Sequence, residues 1–238
     1  MRESYYNLNG LWDYAITASD ACPGAWDGEI LAPFSPEAPL SGVGRILKPG
    51  QVLWYRRTLP FAKPDGGRML LHIGAADQRA WVYVNGLLAG THTGGYTAFT
   101  LDMTKLLRDG ENILTVAVRD DTDAVPLSRG KQKTKRGGIW YTPQSGIWQT
   151  VWMEWVPQSY ITGLRITPDA ANGCCYCLVE AGGERTFLSI HGAEYSFDPA
   201  WMAPYADRAF DYGYVCGLEV EERTGSQLVS WLETAPIG

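Results

Sequence analysis

Leu71-His72-Ile73-Gly74-Ala75-Ala76-Asp77-Gln78-Arg79-Ala80-Trp81-Val82-Tyr83-Val84-Asn85-Gly86 is the stretch that decides the fold class. From Arg79 to Val84 the side chains alternate. Trp81 and Tyr83 fall on one face and Val82 and Val84 on the other, the period of two that a β-strand imposes. Asn85-Gly86 supplies the two positive-φ positions of a tight hairpin turn, so the chain folds back into a second strand, Leu87 to His92. Upstream, Arg68 to Gly74 reads as another strand. Asp77 therefore lies between two strands, where a carboxylate can accept hydrogen bonds from loop amides.

Working outward, the same patterning recurs in Leu8 to Ile16, Val52 to Pro60, Tyr96 to Leu101, Asn112 to Arg119, Gly146 to Val156 and Tyr160 to Thr167. In Asn112 to Arg119 both faces are apolar, as expected for a central strand covered on two sides. Cys22 to Gly50 is rich in Pro and Gly and reads as a long surface excursion without regular structure. Asp120 to Thr142 is polar and irregular, and the best helical candidate, Met103 to Leu107, is short. The expected architecture is all-β: a jelly-roll β-sandwich over residues 1–168, followed by a short β tail over residues 169–238. In that tail Cys174 to Glu180 can pair with Arg185 to Ile190, and Tyr212 to Glu222 with Gln227 to Trp231.

Composition narrows the functional classes. Hydrophobic residues make up 45% of the chain and charged residues 19%, so a core is affordable and disorder has no compositional basis. A net charge of −6 gives no overall attraction for a polyanion, which argues against nucleic acid as a partner. No stretch approaches the ~20 apolar residues of a membrane helix, and Met1 to Asn7 lacks the apolar run of a secretory signal. The five cysteines fit reduced thiols of a cytoplasmic protein, and Cys174-Cys175-x-Cys177 has no second ligand pair at zinc spacing. Neither a metal nor a cofactor is expected. Ten tryptophans and thirteen tyrosines exceed the needs of most cores, and flat rings of this kind serve sugar faces as well as sandwich interiors.

A series of segments in order carries a family resemblance. They are Leu8-Asn9-Gly10-x-Trp12, Pro36 to Gly42, Trp54-Tyr55-Arg56-Arg57, Leu71 to Gly86, Gly90-Thr91-His92-x-Gly94-Gly95-Tyr96, Gly110-Glu111-Asn112-x-Leu114-x-Val116-x-Val118, and Ser145 to Trp152. Together, over roughly residues 7–167, they are similar to the N-terminal sugar-binding domain of glycoside hydrolase family 2, the β-galactosidases, β-glucuronidases and β-mannosidases. The resemblance implies a jelly-roll fold and a carbohydrate partner, a β-glycoside. It implies two catalytic glutamates ~5–5.5 Å apart on a separate barrel, with a retaining mechanism. No strand–helix alternation that could build this barrel is present before Gly238, so the barrel is expected from a further domain or a partner chain, and this chain by itself is expected to be inactive. The tail then reads as a shortened or truncated immunoglobulin-like domain.

In the family, a loop before the Ser-Gly-Ile segment commonly carries an aspartate that reaches the sugar. Here Gly137 to Gln144 contains no carboxylate and offers instead Trp140 and Tyr141 for stacking and the Gln144 amide for sugar hydroxyls. Just upstream, Arg129 to Arg136 holds five positive charges in eight residues. Arg129 and Lys131 can grip an acidic sugar or a barrel carboxylate; a solvated loop, or a face left uncovered by the missing barrel, is the simpler reading of the run. Asp121, in Asp120-Asp121-x-Asp123, completes the candidate set, with ion pairing across the loop expected to order both runs. Gly94-Gly95 is expected to let backbone pass close to a bulky ring. Three functions remain open: an accessory domain of a β-glycosidase, a free-standing carbohydrate-binding module, and a non-catalytic interaction domain.

Overall fold

The computed structural model describes residues 4–59, 66–169, 174–181 and 185–191. In chain order its strands are β1 (Tyr5–Asn7), β2 (Gly10–Thr17), β3 (Gly28–Ala32), β4 (Val52–Leu59), β5 (Arg68–Ile73), β6 (Ala76–Asp77), β7 (Arg79–Val84) and β8 (Leu87–Thr93). They continue as β9 (Phe99–Asp102), β10 (Asn112–Arg119), β11 (Gly146–Ile147), β12 (Val151–Val156), β13 (Ile161–Asp169), β14 (Cys174–Ala181) and β15 (Arg185–His191). The chain divides into two compact units, Met1–Pro157 and Gln158–Gly238.

The first unit is an antiparallel β-sandwich. A four-stranded sheet, in the order β1-β12-β5-β9, forms one layer, and a six-stranded sheet, β3-β2-β4-β10-β7-β8, forms the other. The core between them takes alternate residues from each strand: Leu53, Tyr55, Val82, Val84, Leu114, Val116 and Val118 from one sheet, and Met69, Leu71, Ile73, Val151 and Met153 from the other. Trp12 and Tyr55 meet edge to face at 6.3 Å near its centre. Both polar tips are satisfied, Trp12 Nε1 donating to the Leu8 carbonyl at 2.9 Å and the Tyr55 hydroxyl accepting the Ile147 N–H at 3.1 Å.

The hairpin read from Asn85-Gly86 is present, with φ of 53° and 79° at the two turn residues and β7 paired to β8. β10 is central, as its two apolar faces require, lying between β4 and β7. On its outer side Ala117 joins Ala15, Val52 and Trp54, and this patch is covered by Trp26, Trp81 and Tyr83. Trp26 comes from the β2–β3 connection, which turns back and ties Asp27 to β2 through its N–H to the Tyr14 carbonyl and its carboxylate to the Ile16 N–H.

Three expectations are corrected. The Cys22 to Gly50 excursion contains β3, paired with β2 from Gly10↔Ala32 to Tyr14↔Gly28, and a 3₁₀ turn at Pro39–Ser41. Ile30, Ala32 and Leu47 from this stretch are core residues, so burial and an open edge on β2 overrode its Pro and Gly content. Gly146 to Val156 is two strands rather than one, because Gly146–Ile147 pairs with β6 while the run from Val151 pairs with β5. Met103 to Leu107 is a single turn, the Leu106 and Leu107 N–H groups both donating to the Met103 carbonyl.

In the second unit, β13, β14 and β15 form a three-stranded antiparallel sheet, with Cys175↔His191 to Ala181↔Arg185 in register across the expected hairpin. β13 runs through Pro168 to Asp169, so residue 168 lies inside a strand. The second expected hairpin, Tyr212 to Glu222 with Gln227 to Trp231, lies outside the described residues.

Candidate functional site

At the end of the sandwich where β10 finishes, a short ladder of β6 and β11 brings Asp77 opposite Gly146. Gly146 has φ of 76° and lies against the Tyr55 hydroxyl, so no side chain fits there. This places Ser145, just before it, in a buried polar knot. The Ser145 N–H and hydroxyl donate to Glu37 at 3.0 and 2.9 Å, and Asp120 Oδ2 lies 3.2 Å from the same hydroxyl. Glu37 also accepts the Leu47 N–H at 3.1 Å and Asp120 the Thr122 N–H at 2.7 Å. Burial pushes the carboxyls of Glu37 and Asp120 above their ordinary range despite these bonds. Asp77 rises furthest, to about 7, through burial first and then the nearby Asp120 and Glu37 charges.

Gln132 links this knot to the surface. Its side-chain amide offsets part of the rise at Asp77, its carbonyl oxygen accepts the Gln144 N–H at 2.6 Å, and its Nε2 lies 3.4 Å from the Tyr96 hydroxyl. Tyr96, half exposed, meets Trp148 edge-on at 6.2 Å, and the Trp148 indole N–H donates to the Gly95 carbonyl at 2.7 Å. Gly94-Gly95 thus does pass a ring, but its tightest neighbour is Asp77: a β-carbon on Gly95 would overlap that carboxylate.

The expected site residues divide into those gathered here and those used elsewhere. Trp140 and Tyr141 sit on a small hairpin closed by Gly137 and Trp140, with Tyr141 bonded through its backbone to Lys131 and Lys133. Tyr141 is 67% exposed, and the Lys133 ammonium lies 4.4 Å over the Trp140 ring. The Gln144 side chain hydrogen-bonds Ser35 and the Pro143 carbonyl. Lys131 is exposed, and Arg129 is half-buried with its Nε enclosed and without a hydrogen-bond partner among the described residues. Asp121 is buried and committed to structure, accepting from the Gly50 N–H at 2.8 Å and from Arg119 Nε at 3.0 Å. The aspartate run is tied to the basic run by Asp123, which accepts the Thr134 N–H and hydroxyl at 3.0 and 2.8 Å, rather than by the expected ion pair. Those two hydrogen bonds hold the Asp123 carboxyl below its ordinary range. Gln132, Tyr96 and Trp148 were not singled out from sequence as site residues; the signal available was Tyr96 directly following Gly94-Gly95. No group of three potential metal ligands occurs among the described residues.

This geometry, an aromatic surface backed by amides over a buried carboxylate knot, can be set beside known proteins. No protein-family model matches the chain. A β-galactosidase of Bacteroides ovatus is 35% identical over 129 residues, 53% of this chain and 14% of that protein. A β-glucuronidase of Paenibacillus borealis is 36% identical over 84 residues, 34% of this chain and 14% of that protein. The solved β-glucuronidase of Faecalibacterium prausnitzii superposes with a TM-score of 0.59 at 21% identity, covering 81% of this chain and 40% of its own. The chain resembles the N-terminal β-sandwich of family 2 glycoside hydrolases. It spans less than half the length of these relatives. A match of another kind also exists: 88 residues, 37% of this chain, are 31% identical to an uncharacterized sugar kinase of Escherichia coli, of which they cover 27%. Among the described residues no helix is long and apolar enough to cross a membrane.

Proposed function

We propose that the first unit is the accessory sugar-binding domain of a family 2 β-glycosidase, with the hydrolytic step carried out by a barrel outside this chain. The observation that carries this reading is the link from Gln132 to Gln144 and Tyr96, which fixes a polar platform beside the exposed Tyr141 ring. A pyranose would lay a C–H face on Tyr141, with Trp140 alongside, and turn hydroxyls toward the amides of Gln132 and Gln144. Lys131 and Arg129 border this platform and would favour a carboxylate-bearing sugar or a carboxylate of the barrel. Leu40 and Ile139, 70% and 63% exposed, are apolar surface of the kind a barrel would cover.

Calorimetric titration with nitrophenyl β-galactoside, β-glucuronide and β-mannoside tests the reading. Weak saturable heat with at least one sugar, lost in Tyr141→Ala, together with no release of nitrophenol, is the expected result. Turnover by the purified chain, or silence toward all three sugars, would sink it.

We infer that the second unit is a shortened or truncated immunoglobulin-like domain, whose described part is the three-stranded antiparallel sheet β13-β14-β15.

A further inference from the structure

The outer face of the six-stranded sheet carries a groove that none of the loop-end residues line. Its floor is Ile113 and Thr115 of β10 beside Arg56 of β4; one wall is Trp26 with Cys22–Gly24, and the other is the Asn85-Gly86 turn with Arg108. It encloses about 320 Å³, within the range of small-ligand sites.

Two features mark it as built for a ligand. The first is a fixed cation. The Arg56 guanidinium lies 4.4 Å over the Trp26 ring and donates through Nε and Nη2 to Asp13 Oδ2 at 2.9 and 2.7 Å. This holds the plane in place while its Nη1 side keeps no hydrogen-bond partner among the described residues. Arg108, across the groove, spends only its Nε, on the Glu111 carbonyl at 3.0 Å. The second feature is Thr115. It is only 8% exposed, yet its hydroxyl makes no hydrogen bond to any described residue and is not among the enclosed unsatisfied atoms. Thr115 lines the groove floor, so this hydroxyl is a polar group there with no bond to the described chain. In a chain of net charge −6, two guanidiniums lining one groove and a hydroxyl unbonded among the described residues, beside an indole, select an anion with an apolar ring face.

We propose that this groove is a second carbohydrate site, one that takes an acidic saccharide. A uronic acid residue would place its carboxylate between Arg56 and Arg108, a ring hydroxyl on Thr115 and its C–H face against Trp26 and Ile113.

Tryptophan fluorescence of the full chain, titrated with trigalacturonate and with neutral maltotriose, tests the site. Saturable quenching by trigalacturonate only, weakened by salt, is the expected result. Arg108→Gln should weaken it about tenfold, Thr115→Val should weaken it as well, and Lys105→Gln, at an exposed cation that does not line the groove, should leave it unchanged. Arg108 is exposed and Thr115→Val keeps the side-chain shape, so circular dichroism should confirm intact folding for both. Uronate binding untouched by Arg108→Gln and Thr115→Val, uronate binding weakened as much by Lys105→Gln, or no saturation at all would each overturn the proposal. None of these outcomes decides the loop-end reading, which rests on nitrophenyl glycosides and their loss in Tyr141→Ala.

Discussion

Gly95 packs its bare α-carbon against the carboxylate of Asp77, leaving no room for a β-carbon. The contact joins the loop after β8 to the β6–β11 ladder, and Trp148 reinforces it by donating to the Gly95 carbonyl. Gly95→Ala should therefore displace the Asp77 carboxylate and cost about 1–3 kcal/mol, the usual penalty of overpacking. Gly24→Ala, where a new methyl meets nothing within 4 Å, should change stability little. Urea denaturation of the two variants measures the contrast.

How much of this was legible in the sequence follows from which forces act locally. β7, β8 and β10 could be read because alternation and the Asn85-Gly86 turn are local signals that the sandwich reinforces. β3 was hidden, since its reason to form is the edge of β2 rather than its own Gly- and Pro-flanked residues. The interruption at Trp148–Thr150 was equally invisible, because it depends on two different pairing partners. At the site, Trp140, Tyr141 and Gln144 are sequence neighbours and were found together. Gln132 and Tyr96 lie 36 residues apart, and only the folded loop brings them within reach. Asp121 looked available as one acid among three, but its carboxylate is taken by Gly50 and Arg119, the first of them 71 residues away.

The Asp77 carboxyl gives stability a definite pH dependence. Folding raises its pKa from the ordinary 3.8 to about 7, so the folded chain holds this proton more tightly than the unfolded one. Its contribution is fully present below the unfolded value and is lost as pH rises through the folded value. Asp120 and Glu37 shift in the same direction. The melting temperature should therefore fall between about pH 4 and pH 7, and Asp77→Asn should flatten the neutral part of that slope. A melting profile that rises across this window would contradict the assignment.

Tyr55 closes the core beneath the site. Its hydroxyl is fully buried, and burial drives its pKa far upward, so it stays protonated while accepting the Ile147 N–H. Tyr55→Phe keeps the ring against Trp12 but leaves that buried N–H without its acceptor, at a cost of about 1–3 kcal/mol. The loss should appear in equilibrium unfolding, with hydrogen exchange at the Ile147 amide accelerated beyond the global change.

Gln132 should behave as an organiser of the loop rather than a support of the fold. It meets the Gln144 N–H and the Tyr96 hydroxyl from a half-buried position outside the core. Gln132→Leu preserves bulk and removes both hydrogen bonds, freeing the segment that carries five basic residues from Arg129 to Arg136. Trypsin cleaves after such residues, so limited proteolysis there should quicken several-fold while the denaturation midpoint moves little, as expected when only local opening becomes easier. If the midpoint instead falls as far as in Tyr55→Phe, Gln132 belongs to the cooperative core, and the surface platform is not a separately ordered element.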